Sequence, residues 1–145
     1  MTTETTPNAA IGIILATHID YAAALLRAAE FILGPLGDCT SISVDMPFDV
    51  AETVQRLDDA AQLLDKGAGV LILTDMFGGT PTNLSLALLN TRRVEVVTGM
   101  NLPMIIKAFS ARTLPLKELA ELVGEAGRQG IVVAGEVLVQ KAPKE

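Results

Sequence analysis

The sequence predicts an α/β fold: a doubly wound, mostly parallel sheet of strand order 2-1-3-4 with a C-terminal edge strand, and helices on both faces. Three observations lead there. Short β-branched or aliphatic runs alternate with segments of helical periodicity, the pattern of βαβ units. The third run, GVLIL, is continuously apolar, as a strand covered on both faces must be. Half of the 145 residues are hydrophobic while only 3% are aromatic, so the core is built of Leu, Ile, Val and Ala. That composition suits helices packed on a buried sheet.

Each element has its own signal. The opening MTTETTPNAA reads as a mobile polar tail over residues 1–10, without the positive start and long apolar middle of a signal peptide. One domain is expected over residues 11–140, with no internal repeat or linker. IGIILA is the first strand and stops at His18, the only histidine in the chain. Asp20 is then placed to cap a helix whose Leu25, Leu26, Ala29, Ile32 and Leu33 share a face, ended by Gly34 and Pro35. TSISVDM is the second strand. Asp49 and Glu52 form a capping-box pattern ahead of a stripe of Val50, Val54, Leu57, Ala61 and Leu64. After the third strand, Thr80 reads as a cap with Pro81 at the first helical position. VEVVTG is the fourth strand, and Pro103 and Pro115 open two further helices. The last run, IVVAGEVLV, alternates and contains Gly135 and Glu136. It is expected to be an edge strand, antiparallel or shared with another subunit.

Composition also excludes. A formal net charge of −6 lacks the basic footprint of a nucleic-acid binder. A single cysteine, Cys39, allows no internal disulfide, which points to a reducing cytosol and to a small buried hydrophobe. No apolar run approaches the ~20 residues of a membrane span.

A lone histidine beside an apolar run is ordinarily a hydrogen-bonded structural residue. Topology changes the weight of that reading. In a 2-1-3-4 sheet the chain winds oppositely from strands one and three, and ligands bind in the crevice between their carboxyl ends. His18 follows strand one and Asp75 follows strand three, so both reach that crevice. A carboxylate that accepts a hydrogen bond from one imidazole nitrogen fixes the tautomer and frees the other as a nucleophile. Gly78 and Gly79 allow close backbone approach, and the helix start at Thr80 favours an anion. Nucleophile, orienting carboxylate and anion cradle together fit phosphoryl transfer through a phosphohistidine.

Other chemistries lack their parts. One histidine and one cysteine are a poor supply of metal ligands. No G-x-S-x-G elbow is present, GGTPTN lacks the Walker lysine, and no G-x-G-x-x-G follows the first strand. Asn83 and Asn101 read as caps or turn residues, and Arg27 and Arg112 as solvated. Met76 and Phe77 read as loop packing, or else as an apolar rim for a docking partner.

THID after strand one, LILTDMFGGTPTN around strand three and VVTGMNLPM around strand four resemble the mannose-type enzyme IIA domain of the bacterial sugar phosphotransferase system. The likeness runs from about Ile11 to Val133. It implies that His18 takes a phosphoryl group from the phosphocarrier HPr and passes it to a IIB protein, serving a membrane sugar permease indirectly. It implies Asp75 as the orienting aspartate, and Gly78, Gly79 and Thr80 as the phosphoryl-binding segment. It further implies a cytoplasmic homodimer exchanging C-terminal strands, with no metal and no dissolved cofactor. Two positions depart from the family pattern. Members commonly have glycine after the histidine, where this chain has Ile19, and some have a hydroxyl residue after the aspartate, where it has Met76. Alternatives are a regulatory phosphorelay protein, the phosphotransferase subunit of dihydroxyacetone kinase, and, in another class, a non-catalytic flavodoxin-like ligand-binding module.

Overall fold

The computed structural model describes residues 9–141. In chain order its elements are β1 (Gly12–His18), α1 (Tyr21–Leu33), β2 (Cys39–Val44), α2 (Val50–Leu64), β3 (Val70–Thr74), α3 (Thr80–Leu86), β4 (Val94–Val97), α4 (Leu102–Ser110), α5 (Leu116–Gln129) and α6 (Ala134–Lys141). The strands form one all-parallel sheet of order β2-β1-β3-β4. The expected class and winding are therefore present.

Strand period explains the two cores. Side chains of β1 and β3 alternate between faces. Ile13, Leu15, Leu71 and Leu73 join Ala22 and Ala29 of α1, Met104 and Ile105 of α4, and Leu119 and Val123 of α5 in one core. Ile14, Ala16 and Ile72 point the other way, onto Leu57 and Ala61 of α2 and Leu84 of α3. All the central positions of β1 and β3 named here are fully buried, as a doubly covered sheet requires. Asp49 caps α2 as expected, its side chain accepting from the Glu52 N–H at 2.9 Å.

Four expectations need correction. The segment IVVAGEVLV is not an edge strand: Ala134–Lys141 is the short helix α6, begun where Val133 O accepts from the N–H groups of Glu136 and Val137. A strand satisfies its backbone only against a neighbour, whereas a helix does so locally. Asp20 occupies the N-cap position of α1 but makes no side-chain cap bond. The Thr17 hydroxyl takes that role, accepting from Ala22 N at 2.7 Å. Gly79, not Thr80, is the N-cap of α3, so Pro81 falls one position later than expected. On α1 the buried face is Ala22 to Ala29, while Ile32 and Leu33 are exposed in the last turn. Of the expected tail, residues 1–8 lie outside those described. Among the described residues no helix is long and apolar enough to cross a membrane.

Candidate active site

From β1 the chain passes through α1 to β2, while β3 lies on the other side of β1. The crevice expected from that winding is thus at the carboxyl ends of β1 and β3. Ala16 is level with Thr74 in the parallel register, so the residues just beyond, His18 and Asp75, meet. The Asp75 carboxylate is gripped there. Its Oδ2 accepts from the His18 backbone N–H at 2.9 Å and lies 2.7 Å from His18 Nδ1. Its Oδ1 accepts from Met76 N at 3.0 Å. Burial pushes the Asp75 carboxyl up, but the His18 backbone N–H and imidazole outweigh it and hold the group below its ordinary value. An ionised carboxylate can only accept, so in the neutral ring Nδ1 carries the proton and Nε2 keeps its lone pair. The side chain of Asp75 is 13% exposed and that of His18 is 44% exposed. One orients; the other is reachable.

The β3–α3 loop is shaped around the ring. Gly78 takes a φ of +83°, open to glycine at no steric cost. At Gly79 a Cβ would stand 2.9 Å from His18 Cε1 and 3.2 Å from Met76 Cγ, so a larger residue cannot enter unless the imidazole or the loop moves. Thr80 begins α3 immediately afterwards. The expected residues His18, Asp75 and Gly79 are therefore brought together, with Gly78 and Thr80 flanking Gly79 in the same loop and helix start.

Sequence reasoning missed the hydroxyls behind this loop. Thr82 is fully buried, 2.6 Å from the Thr74 hydroxyl and donating to Met76 O at 2.7 Å, which ties the strand end to the loop. Its signal was only a threonine among several polar residues of a short helix, TPTNLSL. Met76 and Phe77 are not buried loop packing: they are 57% and 79% exposed, and Phe77 lines a cavity with Val97 and Met104. Asn101 is a cap, accepting from Met104 N and donating to Gly127 O. Arg27 is exposed on α1. Arg112 is not simply solvated. It donates to Ile11 O, Gly37 O and Asp38 O at the amino ends of β1 and β2, the opposite end of the sheet from His18, and lies over the Phe109 ring. Cys39 is half-buried, and burial pushes its thiol pKa up.

Ile19, next to the histidine, takes a φ of +54°. For a β-branched residue this left-handed conformation is an outlier costing about 1–2 kcal/mol. Its N–H donates to Val44 O at 3.3 Å, extending the β1–β2 pairing past His18.

Comparison with known proteins gives a consistent family. Residues 12–125 match the EIIA-man family model, described as the PTS system fructose IIA component. The chain is 34% identical over 136 residues to the PTS system mannose-specific EIIAB component of Escherichia coli (strain K12), covering 91% of this chain and 42% of that protein. It thus spans less than half the length of that relative. It is 37% identical over 112 residues to the PTS system sorbose-specific EIIA component of Lacticaseibacillus casei, covering 74% of this chain and 78% of that one. Among solved structures, the mannose/sorbose specific IIA subunit of the phosphotransferase system from Enterococcus faecalis superposes with a TM-score of 0.78 at 27% identity, covering 94% of this chain and 99% of that one. The matched span takes in all four strands and both halves of the His18–Asp75 pair, and the chain belongs to the mannose/fructose/sorbose family of PTS IIA components.

Proposed function

We propose that this chain is a cytoplasmic phosphocarrier in which His18 Nε2 accepts a phosphoryl group from HPr and passes it to a IIB protein during sugar uptake. The single observation that carries the reading is the 2.7 Å contact of Asp75 Oδ2 with Nδ1 of a solvent-reachable imidazole. The Nε2 lone pair forms the new N–P bond as the donor's N–P bond breaks, and the released pair stays on the donor nitrogen. Asp75 steadies the positive charge that the ring gains. Gly78, Gly79 and Thr80 bind the phosphoryl oxygens through backbone N–H groups and the Thr80 hydroxyl, while Pro81 has no N–H to offer. Onward transfer to the IIB protein is the reverse geometry.

The working unit is a homodimer. Ile131, Val132, Val133, Leu138 and Val139 are exposed apolar residues crowded into one short segment. A cavity of about 420 Å³, lined in part by Val96, Val97, Met104 and Ile131, lies beside the open edge of β4. A C-terminal segment from a second copy covers both.

The test is incubation with phosphoenolpyruvate, enzyme I and HPr, with the label then mapped. One phosphate per chain is expected, labile in acid and stable in base as a phosphoramidate must be. His18→Ala and His18→Gln should both fail to label, with little loss of stability, because a half-exposed group at a sheet end contributes little packing. Acid-stable label, or acid-labile label in His18→Ala, would refute the assignment.

A further inference from the structure

We propose that Ile19 is a specificity-determining residue for the protein that delivers the phosphoryl group, an apolar knob held against its backbone preference at the edge of His18. The inference rests on the phosphocarrier reading.

Three facts converge on this residue. Its φ of +54° lies where glycine or asparagine is at ease and a β-branched residue is not. Its side chain gains little from the fold in return, being 64% exposed. The turn is fixed without it, through the His18 N–H on Asp75, the Ile19 N–H on Val44 O and the Ala22 N–H on Thr17 Oγ1. These are backbone donors that glycine or asparagine would supply equally. The isoleucine side chain is thus not needed to make the loop. What it adds is apolar surface next to the reacting nitrogen.

That surface has company. Met76 and Phe77, on the β3–α3 loop, are 57% and 79% exposed, and Met46, on the β2–α2 loop, is 83% exposed. The register that pairs His18 with Val44 places Met46 two residues beyond the neighbouring strand end. Exposed apolar side chains thus stand on the loops that follow β1, β2 and β3, at the carboxyl end of the sheet where His18 lies. The exposed carboxylates of Asp20 and Asp45 border them, on a chain of net charge −6. The complementary partner is a protein with an apolar patch around its phosphohistidine and positive charge at its rim. Transfer between two imidazoles brings both surfaces together around a single phosphorus atom, so the residue beside His18 is covered at that moment. The donor meets this face while Nε2 is bare and Ile19 unobstructed. An acceptor meets it with a phosphoryl group already standing beside Ile19.

Ile19→Gly and Ile19→Asn remove the knob while suiting the backbone, and Ile19→Leu keeps an apolar knob. With phosphorylated HPr as donor, the KM of the first two is expected to rise about tenfold, with kcat changed far less, as a lost apolar contact in docking predicts. Ile19→Leu should stay within about threefold of wild type. Thermal unfolding should show Ile19→Gly and Ile19→Asn as stable as wild type or a few degrees more so. An unchanged KM in these two variants, with wild type labelled normally, overturns the proposal alone. A fall in their Tm overturns it as well, since the side chain would then be serving the fold. If the rise in KM appears only in onward transfer to the IIB protein, the donor assignment is wrong. Absence of acid-labile label in wild type would instead refute the phosphocarrier reading, and the inference with it.

Discussion

At His18, the nitrogen facing Asp75 is held by an oxygen that also takes the residue's own backbone N–H. One carboxylate oxygen therefore sets both where the strand end lies and which tautomer the ring adopts. Asp75→Asn keeps the shape but puts an amide where an acceptor is needed, and removes the charge that, on the proposed mechanism, steadies a phosphorylated ring. Loss of a triad aspartate in serine proteases costs about 10⁴-fold. Here roughly 10²-fold slower phosphorylation by HPr is expected, since positioning supplies much of phosphoryl transfer; labelling at the wild-type rate would make the carboxylate purely structural. The carboxyl's depressed pKa also fixes a sign. The unfolded chain takes up this proton first as pH falls, so the group's stabilisation is present above the ordinary carboxylate value of about 3.9 and fades on acidification through its lower folded-state value. Urea unfolding at a series of pH values should show the wild-type advantage over Asp75→Asn at about pH 6 and its loss by about pH 2. Gly79 is a steric counterpart. In Gly79→Ala the new methyl would lie 2.9 Å from Cε1, which pushes on the ring. About a 10²-fold loss in labelling rate is expected with little change in Tm. An unaffected rate would mean the loop gives way instead of the imidazole.

Among the elements, those announced by local chemistry were legible and those that needed a third partner were not. Asp49 makes the cap that its spacing to Glu52 predicts, on the Glu52 backbone N–H, because both groups sit in one turn. The cap of α1 was misread because THID offers two acceptors, and only the tertiary path of β1 decides that Thr17 is the one facing Ala22. Thr82 was invisible for the same reason: its partners, Thr74 and Met76, belong to another element. It now yields a prediction. Thr82→Val keeps the shape but leaves the buried Thr74 hydroxyl without Thr82 and frees Met76 O. A loss of about 1–3 kcal/mol is expected, read as a lower urea midpoint at unchanged m-value. Thr82→Ser, which keeps the hydroxyl, should lose less. A Thr82→Val midpoint equal to that of the wild type would show that the hydroxyl contributes nothing.

Across the whole molecule, the winding was the part most fully encoded. Strand order and the His18–Asp75 meeting both follow from apolar runs alternating with helices. The C-terminal run was the exception, because its alternation speaks of a neighbouring strand, and among the described residues no strand pairs with it. In the single chain it becomes α6, preceded by exposed Ile131, Val132 and Val133 and carrying exposed Leu138 and Val139. A segment so apolar is a liability unless another surface covers it. Truncation after Gly130 separates covering from folding. It leaves the last packed contacts of α5, Gly127 against Met104 and Gly130 against Pro103, and removes only the segment from Ile131 onward. The truncated chain should therefore keep its thermal stability at high dilution to within about 1 kcal/mol, since no core residue is lost. Its self-association should weaken by roughly 10²-fold or more, because several apolar side chains leave the proposed interface at once. Sedimentation equilibrium of both forms reads this directly. A truncated chain that associates as tightly as the full one, or a full chain that stays monomeric at concentrations roughly 100-fold above those of its labelling reaction, would show that the C-terminal segment does not hold two copies together.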